Sequence, residues 1–538
     1  MQINSIPKSN SDSILGTTIV PYKRLTIGIV LLRALYYLFC FAFTVIVGSV
    51  IFANSANDFS AAILLALIVL NLALLFFAFH MLKKHATFVE RYYKCIIASG
   101  LVFLFVVNVI SGYALRYEPV FDLGAIFTGA SEWVSTGNFM DHMNWTCDPS
   151  YFYYFPNNLG GMTLLFFGFK FASWFSIADY YAVAMVMNAL LGAATVLLTV
   201  LICKRLLGMT QSVMALVCVL MSPPFYFLAP VFYTDALSMV FPVLTIFLYL
   251  KYTDCEACRI KVLWATLIGA CCAVGMLVKI TVVIALIAVL IYHICTKGVT
   301  SALPVVAVSG VVIAAVLIAF NAYFYSAHLD KSTAEKLNVP YIHWIMMSLE
   351  GEGKYNPQDY EFTFSFDDPE EKKTAISSLI LQRIKSRGLR GMLDLFYAKG
   401  ITIFGDGTYA QSDFLDDNPV NETALHRFVL YDGEFYPEYK HLCSGIYFTL
   451  QLLMLVSAYG ALRKKEAPSG KTLPLLSMLG IMLFLMFWEV SGRYLTNFIP
   501  MIIISAVSGL DVLSRDVSLT EDNLTAQAQL TDRNITRT

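Results

Sequence analysis

Along this chain, unbroken apolar stretches of membrane-spanning length alternate with shorter polar segments. The apolar runs fall at roughly 25–53, 59–81, 95–115, 178–203, 211–231, 236–252, 262–278, 280–296, 302–324, 441–462, 472–490 and 494–513. Each approaches or exceeds the roughly 20 residues that a helix needs to cross the hydrocarbon core. None shows the alternating ten-residue pattern of an outer-membrane barrel. The pattern predicts an all-α integral membrane protein with about 12 transmembrane helices. The first run begins behind the polar segment Met1 to Arg24 and is too long and too late for a cleaved signal peptide, so a retained helix is expected. A shorter apolar piece, Met162 to Phe175, spans about 14 residues and is expected to lie at the interface or re-enter rather than cross.

Composition agrees with that class. With 58% hydrophobic residues and only 14% charged ones, and a mean hydropathy of +0.66, a soluble domain would lack polar surface. The net charge of −1 supplies no concentrated basic face, so nucleic acid is not expected as a partner. Orientation follows from the basic residues, because short loops rich in Lys and Arg stay in the cytoplasm. Lys83, Lys84, Arg91 and Lys94, then Lys204 and Arg205, Lys251 with Arg259 and Lys261, Lys297, and Arg463 with Lys464 and Lys465 share one side if both termini are cytoplasmic. The expected organisation is a cytoplasmic segment 1–24, a transmembrane catalytic module 25–324 containing an outer loop 116–177, an extracytoplasmic segment 325–440, C-terminal spans 441–513 and a disordered cytoplasmic tail 514–538. The extracytoplasmic segment is expected to fold over the membrane face as short helices and turns, with helical spacing from Asp367 to Arg390.

Most of the 11 cysteines sit in apolar runs, where a thiol behaves as a small hydrophobe. Cys147 and Cys443 lie outside and pair only if the two outer segments touch. The sequons at Asn144 and Asn421 carry no weight, since such triplets arise by chance.

The unusual residues gather in the outer segments. Asp122 sits in Arg116-Tyr117-Glu118-Pro119-Val120-Phe121-Asp122-Leu123-Gly124, just past the third apolar run. Tyr151-Phe152-Tyr153-Tyr154-Phe155-Pro156-Asn157-Asn158-Leu159-Gly160-Gly161 follows, rich in the aromatic faces and amides that pack on sugars and bond their hydroxyls. Four features then resemble the GT-C superfamily of membrane glycosyltransferases, which includes protein O-mannosyltransferases and the aminoarabinose transferases that modify lipid A. They are Pro119-Val120-Phe121-Asp122, Pro156 ahead of the next apolar piece, Lys279 closing the glycine-containing helix Gly275-Met276-Leu277-Val278-Lys279, and Arg493-Tyr494 ahead of the last span. His343-Trp344 and Gly353-Lys354-Tyr355-Asn356 further resemble bacterial cell-surface members.

The resemblance implies an inverting transfer from a polyprenyl-phosphate-linked sugar to a cell-surface polysaccharide, teichoic acid or glycolipid on the outer face of the cytoplasmic membrane. It matches Asp122 to the acid that acts on the acceptor. A sugar hydroxyl attacks an anomeric carbon only as a positioned base takes its proton. The bland alternative is a helix cap at Leu123. Asp235 is the second carboxylate candidate, against an ordinary helix start. Lys279 and Arg493 are matched to the donor phosphate, whose charge grows as it leaves; snorkelling to the headgroups is their alternative. Glu489 lies four residues before Arg493, a spacing that pairs them on a helical turn. Tyr153, Tyr154, Asn157, Asn158, His343 and Trp344 are the candidate sugar or acceptor contacts, although Trp and Tyr concentrate at membrane interfaces regardless of function. No obligatory metal or other cofactor is expected, since no set of carboxylates or imidazoles converges in sequence and His343 is a lone imidazole. Competing readings are a multi-span transporter or flippase of a lipid-linked sugar, or a non-catalytic partner of a polysaccharide export machine. A transporter places its ionisable residues at mid-membrane, whereas here they gather at the outer ends.

Overall fold

The computed structural model describes residues 27–56, 61–140, 150–415, 418–463 and 468–515. Among them the chain is almost wholly helical, with a single isolated bridge between Tyr117 and Pro419. Ten helices are long and apolar enough to cross a membrane, and two shorter apolar helices, Met209–Leu220 and Thr472–Met486, stand where two more runs were expected.

Two departures from the sequence pattern have clear causes. The run expected at 95–115 forms the longer helix Ala86–Ala114, so Arg91 and Lys94 ride on the helix itself, and only His85 separates it from Ala61–Lys84. The run expected at 211–231 stops at Leu220 because Pro223 and Pro224 offer no amide hydrogen and turn the chain into the 3-10 helix Pro223–Tyr226. The residues beyond it are irregular and buried, which in an apolar medium requires side chains to satisfy the backbone. Asn108 does so from a neighbouring span, donating to the Phe225 carbonyl (2.6 Å) and accepting from the amides of Leu228 (3.2 Å) and Ala229 (3.1 Å). Asn188 donates to the carbonyls of Leu228 (2.8 Å) and Val231 (3.0 Å). Two buried amides thereby let a non-helical segment lead up to Tyr233 and Asp235.

The apolar piece expected at the interface is the 15-residue helix Leu159–Ser173, which packs against Phe121–Thr136 and Tyr180–Leu206. The segment expected to fold over the membrane face contains short helices, as expected, and then Pro369–Phe404, 36 residues in which one helix gives way at the non-helical Gly388 (φ 58°, ψ −173°) to a second helix. That helix also descends beside the first span: the Phe404 ring meets Phe43 edge-on at 5.2 Å, and Gly400 packs on Ile46.

Several basic residues of the short connections and helix ends collect at one end of the bundle. There Lys83 donates to Ser514 (2.8 Å), Lys204 lies over the Tyr93 ring, Arg205 pairs with Asp254 and Lys261 approaches Tyr252.

Candidate active site

At the other end, the helix starts and stops converge on a cleft of about 1360 Å³. Asp122 enters it from the first turn of Phe121–Thr136, whose N-cap is Val120. Asp122 does not cap that helix. Its carboxylate accepts from two phenols instead, Tyr151 at 2.7 Å and Tyr233 at 3.1 Å, and Asn158 in turn donates to the Tyr151 hydroxyl. The residue before it, Phe121, sits at φ 50° and is 75% exposed into the cleft. A bulky residue in left-handed backbone is strained, by about 1–3 kcal/mol, and such strain collects at functional sites.

The loop that supplies Tyr151 turns through Pro156–Asn158 into the helix Leu159–Ser173. Gly160 brings it against the end of another span, since a Cβ there would stand 1.9 Å from the Leu277 carbonyl oxygen. Two residues on, the helix Cys258–Val278 ends, Lys279 is extended, and the chain restarts through the 3-10 turn Ile280–Val282. The break aims Lys279 into the cleft.

Lys279 forms an ion pair with Asp235 and lies 4.4 Å from the Tyr494 ring centroid. Arg493, at the start of the 3-10 turn Gly492–Phe498, approaches the other oxygen of the same carboxylate at 3.7 Å. Its guanidinium is boxed by the rings of Tyr233, Phe414 and Tyr494 at 5.3–5.5 Å. Asp235 is 3% exposed and stands behind the cleft wall, joining two cations that line it. Tyr233 connects the halves of the site: its hydroxyl binds Asp122 while its ring packs on Arg493.

The expected helical pairing of Glu489 with Arg493 does not form. Ser491 is extended and breaks the turn, and Glu489 accepts from the Tyr494 hydroxyl at 3.0 Å. Burial, the largest influence on it, raises the Glu489 carboxyl above the ordinary carboxylate range, with Arg493, Tyr494 and Lys279 pulling the other way.

Of the sequence candidates, Asp122, Tyr154, Asn157, Asn158, Lys279, Arg493 and Trp344 line the cleft. Asp235 is absent from the cleft lining and touches it only through Lys279 and Arg493. Tyr153 points elsewhere, accepting from the Asp330 amide (3.1 Å). His343 is fully buried and bonded to Thr363 (2.7 Å); burial pulls its imidazole down to about 4, so it is neutral and does not reach the cleft. Sequence reasoning quoted Tyr151 and Tyr494 only as parts of their segments, assigning them no role, and did not name Tyr233 and Trp488 as site residues. Their signal was adjacency, for Tyr233 lies two residues from Asp235 and Tyr494 follows Arg493 directly. The lining also includes the apolar residues Leu277, Ile280, Leu317, Phe320, Phe484 and Leu485 and the aromatic residues Tyr154, Phe155, Tyr341, Trp344, Tyr360 and Trp488. Trp344 and Trp488 stack at 5.7 Å and 9°. Among the described residues no three His, Cys, Asp or Glu side chains converge as a metal site. Cys443 is fully buried, whereas Cys147 and Asn144 lie outside the described residues.

A family model described as "conserved hypothetical integral membrane protein" matches residues 22–512. No curated protein matches the chain. Among solved structures, the oligosaccharyltransferase AglB from Archaeoglobus fulgidus, in complex with an inhibitory peptide and a dolichol-phosphate, is similar with a TM-score of 0.39 and 13% identity, over 81% of this chain and 52% of that one. This chain therefore spans about half the length of the archaeal protein. ArnT from Cupriavidus metallidurans, bound to undecaprenyl phosphate, is similar with a TM-score of 0.35 and 12% identity, over 79% of this chain and 78% of that one.

Proposed function

The chain belongs to the family of conserved hypothetical integral membrane proteins, and we propose that it is an inverting GT-C type glycosyltransferase. It moves a sugar from a polyprenyl-phosphate donor to a polysaccharide, teichoic acid or glycolipid acceptor on the outer face of the cytoplasmic membrane. The observation that carries this reading is the pairing, in one cleft, of an oriented carboxylate with two cations fixed by a shared buried carboxylate. The same cleft is lined by apolar side chains suited to a lipid carrier and by aromatic rings suited to sugar faces.

In the proposed step Asp122 takes the proton of the acceptor hydroxyl as that oxygen bonds to the anomeric carbon from the face opposite the phosphate. The bond from the anomeric carbon to the phosphate oxygen breaks, and its electron pair leaves on the phosphate. Lys279 and Arg493 meet the charge that grows there. Each carboxylate oxygen of Asp122 has a lone pair beyond the one its phenol uses, so it accepts the substrate proton without losing its orientation. Asp235 is a positioning residue, and Asn157, Asn158, Tyr154 and Trp344 contact sugar.

The test is reconstitution in vesicles with a panel of radiolabelled polyprenyl-phosphate sugars and surface glycolipid extract, reading transfer and release of polyprenyl phosphate. Asp122→Asn is expected to retain donor binding while transfer falls by about 100- to 10,000-fold. Near-normal turnover by that variant would remove Asp122 from the role. Movement of labelled donor across the vesicle without transfer would favour a flippase.

A further inference from the structure

The stretch Pro369–Phe404 holds the two segments that bring Trp344 and Trp488 to the cleft. From its first half Arg383 donates to the Met346 carbonyl (2.8 Å) and, in two bonds, to the buried Asp359 carboxylate (2.9 and 2.6 Å). Arg387 donates to the carbonyls of Leu349 and Gly351, both at 2.8 Å. These bonds fix the segment that follows Trp344. From the second half the fully buried Lys399 donates to the carbonyls of Met486 (3.0 Å) and Trp488 (2.8 Å), fixing the segment that carries Trp488 and Glu489. The two gripped segments also bond to each other, Val490 donating to the Gly353 carbonyl (2.9 Å).

Apolar side chains on both sides of the break at Gly388 are uncovered, most of them in the row Leu389, Leu393 and Tyr397 of the second helix. Leu381, Leu389, Leu393 and Tyr397 are between 51% and 80% exposed. Lys385 and Arg390 are exposed beside them and form no ion pair among the described residues, while Asp394 is the one exposed acid in that stretch. A bare apolar face of this kind on a helix of mixed charge marks an interfacial seat. What covers it follows from where the helix goes. Its last turns pack on Ile46 and Phe43 of the first span, whose residues Phe41, Val45 and Phe52 are exposed as lipid-facing side chains are. The second helix, which carries Leu389, Leu393 and Tyr397, thus ends against a span whose own exposed side chains are large and apolar.

We propose that the helix Pro369–Phe404 is seated in the lipid surface at the cleft end of the molecule. Leu389, Leu393 and Tyr397 lie among acyl chains, Lys385 and Arg390 meet headgroup phosphates, and this seat sets the distance between Trp344 and Trp488. The seat is independent of the glycosyltransferase reading; its consequence for sugar binding rests on that reading.

The experiment places an environment-sensitive fluorophore at Leu393→Cys and, as a control, at Glu371→Cys, in a full chain whose Cys95, Cys147, Cys255 and Cys258 are replaced by Ser. The protein is reconstituted in phosphatidylethanolamine–phosphatidylglycerol vesicles. Nitroxide-bearing lipids are expected to quench the Leu393 probe several-fold more than the control. Equal quenching at the two sites would overturn the seat, as would protection of the Leu393 probe from lipid and aqueous quenchers alike, which would mean a protein partner or a second copy. Hydrogen exchange then reads the coupling. Leu389→Glu is expected to speed amide exchange severalfold in 345–353 and 487–490, and unchanged exchange there would overturn the link to the cleft. Neither readout uses transfer activity, so failure of the seat and failure of the proposed reaction are separate outcomes.

Discussion

Asp235 shows how a residue behind the cleft wall fixes the place of two others. Buried between Lys279 and Arg493, it holds both side chains at the cleft wall, and removing one partner of a buried charged cluster leaves the others uncompensated. Asp235→Asn is therefore expected to lower thermal stability by about 3 kcal/mol or more and to raise the KM for the lipid-linked donor while leaving acceptor dependence unchanged, as steady-state kinetics would report. Arg493→Lys keeps the charge but not the planar fork or the aromatic box, so little activity should return in the same assay. Glu489 gives a pH prediction. Its carboxyl is raised in the folded protein relative to the unfolded chain, so its contribution is fully present below the ordinary carboxylate range and is lost as the pH rises through the raised value. Wild type is expected to lose melting temperature across that interval, whereas Glu489→Gln, which cannot titrate, stays flat there. Parallel curves for the two proteins would show that Glu489 is not the group responsible.

Between elements, the site depends on where helices stop. The break after Val278 aims Lys279, the prolines at 223 and 224 release the chain toward Tyr233, and the extended Ser491 separates Glu489 from Arg493. Gly160 sets how closely the Tyr151 loop meets the Lys279 break, because only a hydrogen fits against the Leu277 carbonyl. Backbone cannot yield as a flexible side chain can. Gly160→Ala is expected to destabilise the protein by about 1–3 kcal/mol and to weaken donor binding with it, measured by thermal unfolding and donor titration of the same preparation. Normal donor affinity in a destabilised variant would show that the contact is structural only.

For the whole molecule, the cleft lies at the end opposite Lys83, Lys204, Arg205 and Lys261, and the proposed orientation, in which such basic short loops stay in the cytoplasm, puts the cleft outside. A cysteine at Glu352, exposed near the cleft, should react with a membrane-impermeant thiol reagent in intact cells, and one at Ser469, at the basic end, should not, in a background lacking the exposed native thiols. The reverse labelling would turn the molecule over. The helical class and most span positions were legible in the sequence, because apolar run length and sparse charge are properties of the chain alone, whereas Asp122, Lys279 and Arg493 stood out as candidates through the resemblance to the GT-C superfamily. Glycines and prolines also marked where helices end. Their consequences were not legible: that Asp122 is held by Tyr151 and Tyr233, that Asp235 serves two cations, that His343 is sealed away and that Pro369–Phe404 descends beside the first span. Those are contacts between residues tens to hundreds of positions apart. Nothing in local propensity distinguishes a tyrosine at a membrane interface from one that orients a carboxylate, and only the packing of one helix end against another decides between them.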